Sequence, residues 1–251
     1  MTLTVPAVFE TVPLEAQLRP AELVSREWLT SGYVRLRLAG DALRGFAAPG
    51  ADDHVRIFFA AEDGTVPATA EEWRELPSRE YTPLNADPDA GWVEFDFVIH
   101  GDGPGSAWAA GAPLGAKVAV AGPRRSNAVT GEPDAWFLAG DETAVPAISR
   151  FLRSRRPGTP ARVVVEVALE NELVPIPTDH GTHLTVLVRG RDRLRLTDAL
   201  AALGERDRPR GAVLGFVAAE AEVVPAARAL LLDRWELPAE AVITKGYWRH
   251  G

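Results

Sequence analysis

The sequence predicts an antiparallel β-barrel followed by a parallel α/β sheet, and three observations carry that prediction. The chain has 251 residues, enough for two domains of ordinary size. Its first half holds short runs of alternating polarity separated by Gly, Pro, Asn and Asp. Beyond residue 130 apolar strand-length runs alternate with helical patterns, as in a parallel sheet with crossover helices. The expected division is a β-barrel domain over residues 1–130 and an α/β domain over 131–251 that ends in an aromatic tail.

In chain order, residues 33–38 alternate apolar and basic side chains, as a half-buried strand does. Residues 54–60 share that character. Residues 92–99 (WVEFDFVI) set Trp92, Glu94, Asp96 and Val98 opposite Val93, Phe95, Phe97 and Ile99. Residues 116–121 close the set, and turn formers cluster at 48–53 and 85–91. Several short strands with one short helical candidate argue for a small barrel or sandwich. Residues 127–134 are polar and rich in turn formers, and read as a linker. Strands are then expected at 136–139, 162–168, 184–189, 213–218 and around 241–244, with helices at 143–155, 197–203 and 221–235. That alternation is the architecture of nucleotide-binding domains. Their ligand clefts lie at the carboxyl ends of the strands and where domains meet.

Composition narrows the function classes. The 46% apolar and 25% charged fractions are those of a globular protein with a real core. No stretch approaches the roughly 18 apolar residues of a membrane span, and residues 1–20 lack the basic and apolar regions of a secretory signal. The absence of cysteine excludes disulfides, thiolate metal sites and cysteine nucleophiles, and is compatible with the cytoplasm. A formal charge of −8 argues against nucleic-acid and anionic-membrane partners. The expectation is a cytoplasmic monomer with neither partner. The five histidines are scattered at 54, 100, 180, 183 and 250. His180 and His183 flank Gly181 without an acidic or cysteine partner, so they read as surface residues and no metal site is expected.

Four stretches carry chemistry. In Arg79-Glu80-Tyr81-Thr82 a strand would put Arg79 and Tyr81 on one face, offering a fork for phosphate oxygens and a flat ring for stacking, with the Thr82 hydroxyl next in line. Equally, the stretch reads as an edge strand with an exposed arginine. His100-Gly101-Asp102-Gly103-Pro104-Gly105-Ser106-Ala107-Trp108 follows the WVEFDFVI strand. Its glycines and a helix opening at Ser106 suit an anion, although no Walker lysine is present. Gly140 to Ile148 occupies the place of a dinucleotide loop without matching G-x-G-x-x-G. Its Asp141 or Thr143 can cap a helix whose first turn tolerates Pro146. The acids Asp141 and Glu142 suit ribose or amide groups better than a pyrophosphate. Lys245 to Gly251 ends in aromatics placed either to cover a cofactor ring or to latch onto the barrel.

Taken together, these stretches resemble the siderophore-interacting protein family, the FAD-dependent ferric-siderophore reductases related to ferredoxin reductases. Residues 79–82 are similar to its R-x-Y-T flavin motif. Residues 96–101 and 103–108 resemble its DFVxHG and GPASxWA region, residues 140–148 its GDETALPAI stretch, and residues 246–251 its C-terminal GYWRxG. The resemblance implies that Arg79 and Ser106 hold the FAD phosphates and that Tyr81 and Thr82 contact the isoalloxazine. Phe97, Val98 and His100 would line the remaining flavin site, and Gly105, Ser106, Ala107 and Trp108 would set backbone amides against the pyrophosphate. Asp141, Glu142 and Thr143 would meet the nicotinamide nucleotide or the flavin edge, with Glu220 along the same cleft and Trp248 near the flavin. Two departures stand out. Leu84 replaces a second arginine, which implies looser FAD, and Ala218-Ala219-Glu220 replaces the family's AGE.

The implied reaction passes a hydride from NADPH or NADH to FAD and single electrons onward to Fe(III) in a ferric siderophore, releasing Fe(II). The cofactor carries the chemistry, so no catalytic acid or base is expected. Arg189, Arg191, Arg193 and Arg195 follow a strand where a 2′-phosphate is read, which leans toward NADPH. They are also placed to meet an anionic chelate, or to form a solvated basic loop. Two rival readings remain. One is a flavin or ferredoxin-type reductase with another acceptor; the other, prompted by Leu84, is a non-catalytic siderophore-binding module.

Overall fold

The computed structural model describes residues 6–60, 65–101, 103–169, 174–192 and 194–249. Asp102, Arg193, His250 and Gly251, named above, lie outside the described residues. The chain forms two compact units. One comprises residues 11–127, the other residues 128–251 together with Met1–Glu10.

In the first unit seven strands form one curled antiparallel sheet, a half-barrel, in the order β5-β4-β8-β2-β3-β7-β6. They are β2 (Leu18–Thr30), β3 (Tyr33–Ala39), β4 (Val55–Phe59), β5 (Ser78–Tyr81), β6 (Pro83–Asp87), β7 (Trp92–Val98) and β8 (Lys117–Ala121). The alternation read from β3 and β7 is realised in pairs. Val34 faces Phe97 and Leu36 faces Phe95 across the register, and all four are fully buried. On the opposite face Arg35 grips Asp96 with two bonds of 2.7 and 2.9 Å, and Arg37 bonds Glu94 while lying 4.2 Å from the Trp92 ring centre. Cross-strand pairs of this kind fix the register that keeps Phe95 and Phe97 inside.

Two strands of this sheet, β2 and β6, were not expected from the sequence. β2 runs 13 residues, but its register shifts between Leu23 and Ser25 and again between Trp28 and Thr30, which erases any simple alternation. Residues 85–87, read as turn formers, belong to β6, whose pairing also shifts between Pro83 and Asn85. The second half of β2 runs past the last β8 pair, and there Arg26 reaches the carbonyls of Ala109 and Ala112 at 2.8 and 2.5 Å. Those carbonyls lie at the carboxyl end of α2 (Pro104–Gly111), so Arg26 caps that helix. The other helix here, α1 (Ala70–Arg74), starts with a capping box of Thr69 and Glu72.

The linker expected at 127–134 is partly strand. β9 (Arg125–Thr130) pairs with β1 (Val8–Pro13), and the turn follows. In the second unit five parallel strands stand in the order β12-β11-β10-β13-β14. They are β10 (Ala135–Asp141), β11 (Ala161–Val167), β12 (Thr182–Val188), β13 (Val213–Glu220) and β14 (Val242–Trp248). All seven residues of β10 are buried, as expected of a central strand covered on both faces. Helix α3 (Val145–Ser154) carries Pro146 in its first turn, after a 3-10 turn at Glu142–Ala144. Helix α4 is Leu196–Ala202. The helix expected at 221–235 is α5 (Val223–Arg228) continued by a π-helical turn, Ala229–Arg234. The order of connection reverses between β10 and β13, and that switch point directs attention to the residues just past those strands.

Candidate functional site

In the half-barrel unit the structure brings three separated stretches together. Arg79 and Tyr81 end β5 on the same side, against the start of α2. A Cβ added to Gly105 would overlap the Tyr81 hydroxyl and lie 3.4 Å from the Arg79 stem. In this chain the tyrosine hydroxyl occupies the space that a side chain at residue 105 would need. The Tyr81 ring lies 3.9 Å, centre to centre, from Phe97. Burial raises the Tyr81 phenol well above its ordinary range, opposed by the Arg79 charge, so it stays a neutral donor. Arg79 itself is exposed, its guanidinium resting on the Ser78 carbonyl.

The helix that follows begins earlier than expected. Its N-cap is Gly103, and Ser106 is already inside it. The Ser106 hydroxyl accepts the His100 amide at 3.2 Å and lies 3.1 Å from the His100 carbonyl and 3.4 Å from that of Val98. It therefore pins the end of β7 to the helix rather than capping it. The first bond of the helical ladder runs from the Ala107 amide to the Gly103 carbonyl, so the amides of Gly105 and Ser106 precede the ladder. Ala107 and His100 are exposed and Val98 is half-buried. Trp108 packs on Phe59 at 5.2 Å. Phe97 is fully buried and Thr82 is 7% exposed, so Phe97 backs the Tyr81 ring rather than offering a surface of its own. Leu84 is also buried, at the register break of β6, filling space without supplying a charge.

The parallel-sheet unit has a cleft of about 430 Å³ at the carboxyl ends of its strands. Its lining includes Asp141, Glu166, Arg189, Arg195, Glu220 and Trp248. Asp141 is 3% exposed and works as a knot. One oxygen accepts the Thr143 amide at 2.9 Å and the Thr143 hydroxyl; the other accepts the Glu220 amide at 2.9 Å and the Trp248 indole N–H at 2.8 Å. The ends of β10, β13 and β14 are thereby tied to one carboxylate. Burial pushes the Asp141 carboxyl above its ordinary range, against the hydrogen bonds from Thr143 and Trp248. Asp141, and not Thr143, is the helix-turn cap.

The described arginines of the basic run are all paired with carboxylates, Arg189 half-buried and Arg191 and Arg195 more exposed. Arg189 donates to Glu166 at 2.7 Å and to both oxygens of Glu142. Arg195 lies 3.1 Å from both Glu166 oxygens, and the Leu196 amide donates to Glu166 at 2.5 Å. Burial works to raise Glu166, but the bonds from Arg195, Arg189 and the Leu196 amide outweigh it and hold the carboxyl below its ordinary range. Arg191, about as exposed as Arg195, lies 3.6 Å from Asp192. Glu166 was not singled out from sequence. The available signal was one acid near the end of an otherwise apolar strand, ARVVVEV. Among the described residues no group of three or more metal-binding side chains is found.

A family model described as siderophore-interacting protein matches residues 133–251, and one described as siderophore-interacting FAD-binding domain matches residues 22–127. A relative named ferric vibriobactin reductase ViuB, from Vibrio cholerae, is 27% identical over 93% of this chain and 90% of its own. An NADPH-dependent ferric-chelate reductase from Escherichia coli is 37% identical over 56% of this chain and 58% of its own. The crystal structure of a siderophore utilization protein from T. fusca superposes with a TM-score of 0.83 at 28% identity, covering 98% of this chain and 97% of that one.

Proposed function

Because the chain belongs to the siderophore-interacting protein family, we propose that it is an FAD-dependent NAD(P)H oxidoreductase that reduces ferric siderophores. The observation that carries this reading is the convergence of Arg79, Tyr81 and the Gly105 backbone at the start of α2. An exposed guanidinium, a half-buried flat ring and helix-start amides within one contact shell suit a ligand with both a heterocycle and a pyrophosphate. Arg79 and the amides of Gly105 and Ser106 would hold the phosphates, whereas the Ala107 amide, expected there from sequence, is taken by the Gly103 carbonyl. Tyr81, backed by Phe97, would meet the isoalloxazine, with Thr82, Val98, His100 and Trp108 around it.

Bound FAD supplies acceptance of a hydride from nicotinamide and delivery of single electrons to Fe(III). Each hydride carries two electrons, so two ferric chelates are reduced per nucleotide oxidised, and one proton is released. The residues' own part is positional. Ser106 fixes the β7 end against α2, and Phe97 keeps Tyr81 flat. In the parallel-sheet unit Asp141 holds Glu220 and Trp248 at the cleft where the nucleotide would bind, with Glu142 and Thr143 beside it. Fe(II) is held less strongly than Fe(III) by hard oxygen donors, so reduction frees the metal and no resident iron site is required. The reading carries with it a cytoplasmic, monomeric protein, checked by cell fractionation and light scattering. No described helix is long and apolar enough to cross a membrane.

The test is an anaerobic visible spectrum of the purified protein, before and after nucleotide and then a ferric siderophore. A flavin spectrum that bleaches with nucleotide and recovers with the chelate supports the reading. Bleaching without recovery moves it to a reductase with another acceptor, and a protein that takes up no FAD overturns it.

A further inference from the structure

Among the described residues, the cleft of the parallel-sheet unit is lined by two arginines, and both are paired with carboxylates. Arg189 spends its guanidinium on Glu166 and, bidentately, on Glu142. Arg195 turns one edge of its guanidinium, Nε and Nη2, onto Glu166 while about half of the side chain stays exposed. Glu166 is the hub: its side chain is 4% exposed and also holds the first amide of α4. It stands at the carboxyl end of β11, the strand that follows β10 in the chain and pairs with it. In parallel dinucleotide-binding sheets an acid a little beyond the first loop serves the adenosine ribose, whereas a nearby arginine serves a 2′-phosphate. Both chemistries are present here, and the geometry decides between them.

A 2′-phosphate that claimed the Arg189 guanidinium would have to part it from Glu142 and from the buried Glu166, which is strongly unfavourable, and one on the exposed edge of Arg195 would find that charge already shared with Glu166. It would also enter a cleft where, among the described lining residues, Glu166, Asp198, Glu220 and Glu222 outnumber Arg189 and Arg195. A neutral ribose hydroxyl makes no such demand, and it can donate to this acidic rim. We infer that Glu166 is the specificity-determining residue for the nucleotide, holding the arginine pair against a 2′-phosphate, so that this chain uses NADH in preference to NADPH. The inference rests on the reductase reading above and reverses the lean that the arginine run alone suggests.

The experiment has a binding arm and a kinetic arm. Calorimetry measures 5′-AMP and adenosine 2′,5′-bisphosphate binding to the purified holoprotein, and flavin bleaching measures the NADH to NADPH ratio of kcat/KM. The wild type is expected to favour 5′-AMP and NADH. Glu166→Gln keeps the shape but removes the charge, and is expected to move both ratios toward the 2′-phosphate form by about tenfold or more. Glu166→Ser is the second variant, and the wild-type preference needs no variant. A wild type that prefers adenosine 2′,5′-bisphosphate overturns the inference, as do variants that bind normally with unchanged ratios. In both cases bleaching by nucleotide leaves the reductase reading intact. Failure of both fragments to bind, with no bleaching by either nucleotide, overturns the inference and the reading together.

Discussion

Asp141 illustrates how much one side chain can organise. Its carboxylate takes donors from Thr143, from the Glu220 amide and from the Trp248 indole, the last 107 residues away in sequence. Replacing it by alanine leaves those buried donors unmet, and Asp141→Ala is expected to lower unfolding stability by about 2–4 kcal/mol in urea titrations. Arg79 is the opposite case: it is exposed, so Arg79→Ala should fold normally. Each lost charge-assisted bond is worth about 1.5–3 kcal/mol, so FAD affinity should fall by about tenfold to a hundredfold in a flavin fluorescence titration. Full flavin retention in that variant would sink the assignment of Arg79. The two residues also differ in legibility. Arg79 and Tyr81 could be read because they are neighbours in one motif. The Asp141–Trp248 bond and the hub role of Glu166 could not, because their partners come together only through the sheet.

Strands that alternate cleanly, β3 and β7 above all, were readable because their two faces meet different surroundings. The strands β2 and β6 were not, since register shifts break the period that sequence reasoning depends on. The helix starts moved for a similar reason: Ser106 looked like a cap but its hydroxyl serves β7. The tie between β11 and the start of α4 has a pH signature whose sign follows from Glu166. Its folded-state carboxyl lies below the ordinary value of about 4.3, so its stabilising contribution is complete above that value. The contribution is lost as pH falls through the lower folded value. The stability gap between wild type and Glu166→Gln should therefore be constant from pH 7 to about 5 and shrink below about 4. A gap that widens on acidification would contradict the network drawn here.

At the scale of the whole molecule the formal charge of −8 sets how charged substrates approach. Repulsion of an anionic ferric chelate is screened by salt, with a Debye length of about 30 Å at 0.01 M falling to about 8 Å at 0.15 M. Turnover with an anionic chelate is expected to rise with ionic strength over that range, while turnover with a neutral chelate stays flat. A fall with salt would point instead to a local basic patch steering the chelate. The division into a β unit and a parallel-sheet unit was legible from the change of texture alone, whereas the placing of residues 1–10 with the second unit was not. One feature of the half-barrel bears on how copies of this molecule treat one another. Beyond its last β8 pair, β2 stays paired with β3 and carries Val24 and Trp28, 39% and 48% exposed. Arg26 sits between them with its guanidinium turned onto the end of α2. A charge in that position works as a gatekeeper against edge-to-edge stacking. Arg26→Ala should release the helix end and expose a sticky border, seen as turbidity that grows with protein concentration, so the same arginine that steadies a helix also keeps the protein in solution.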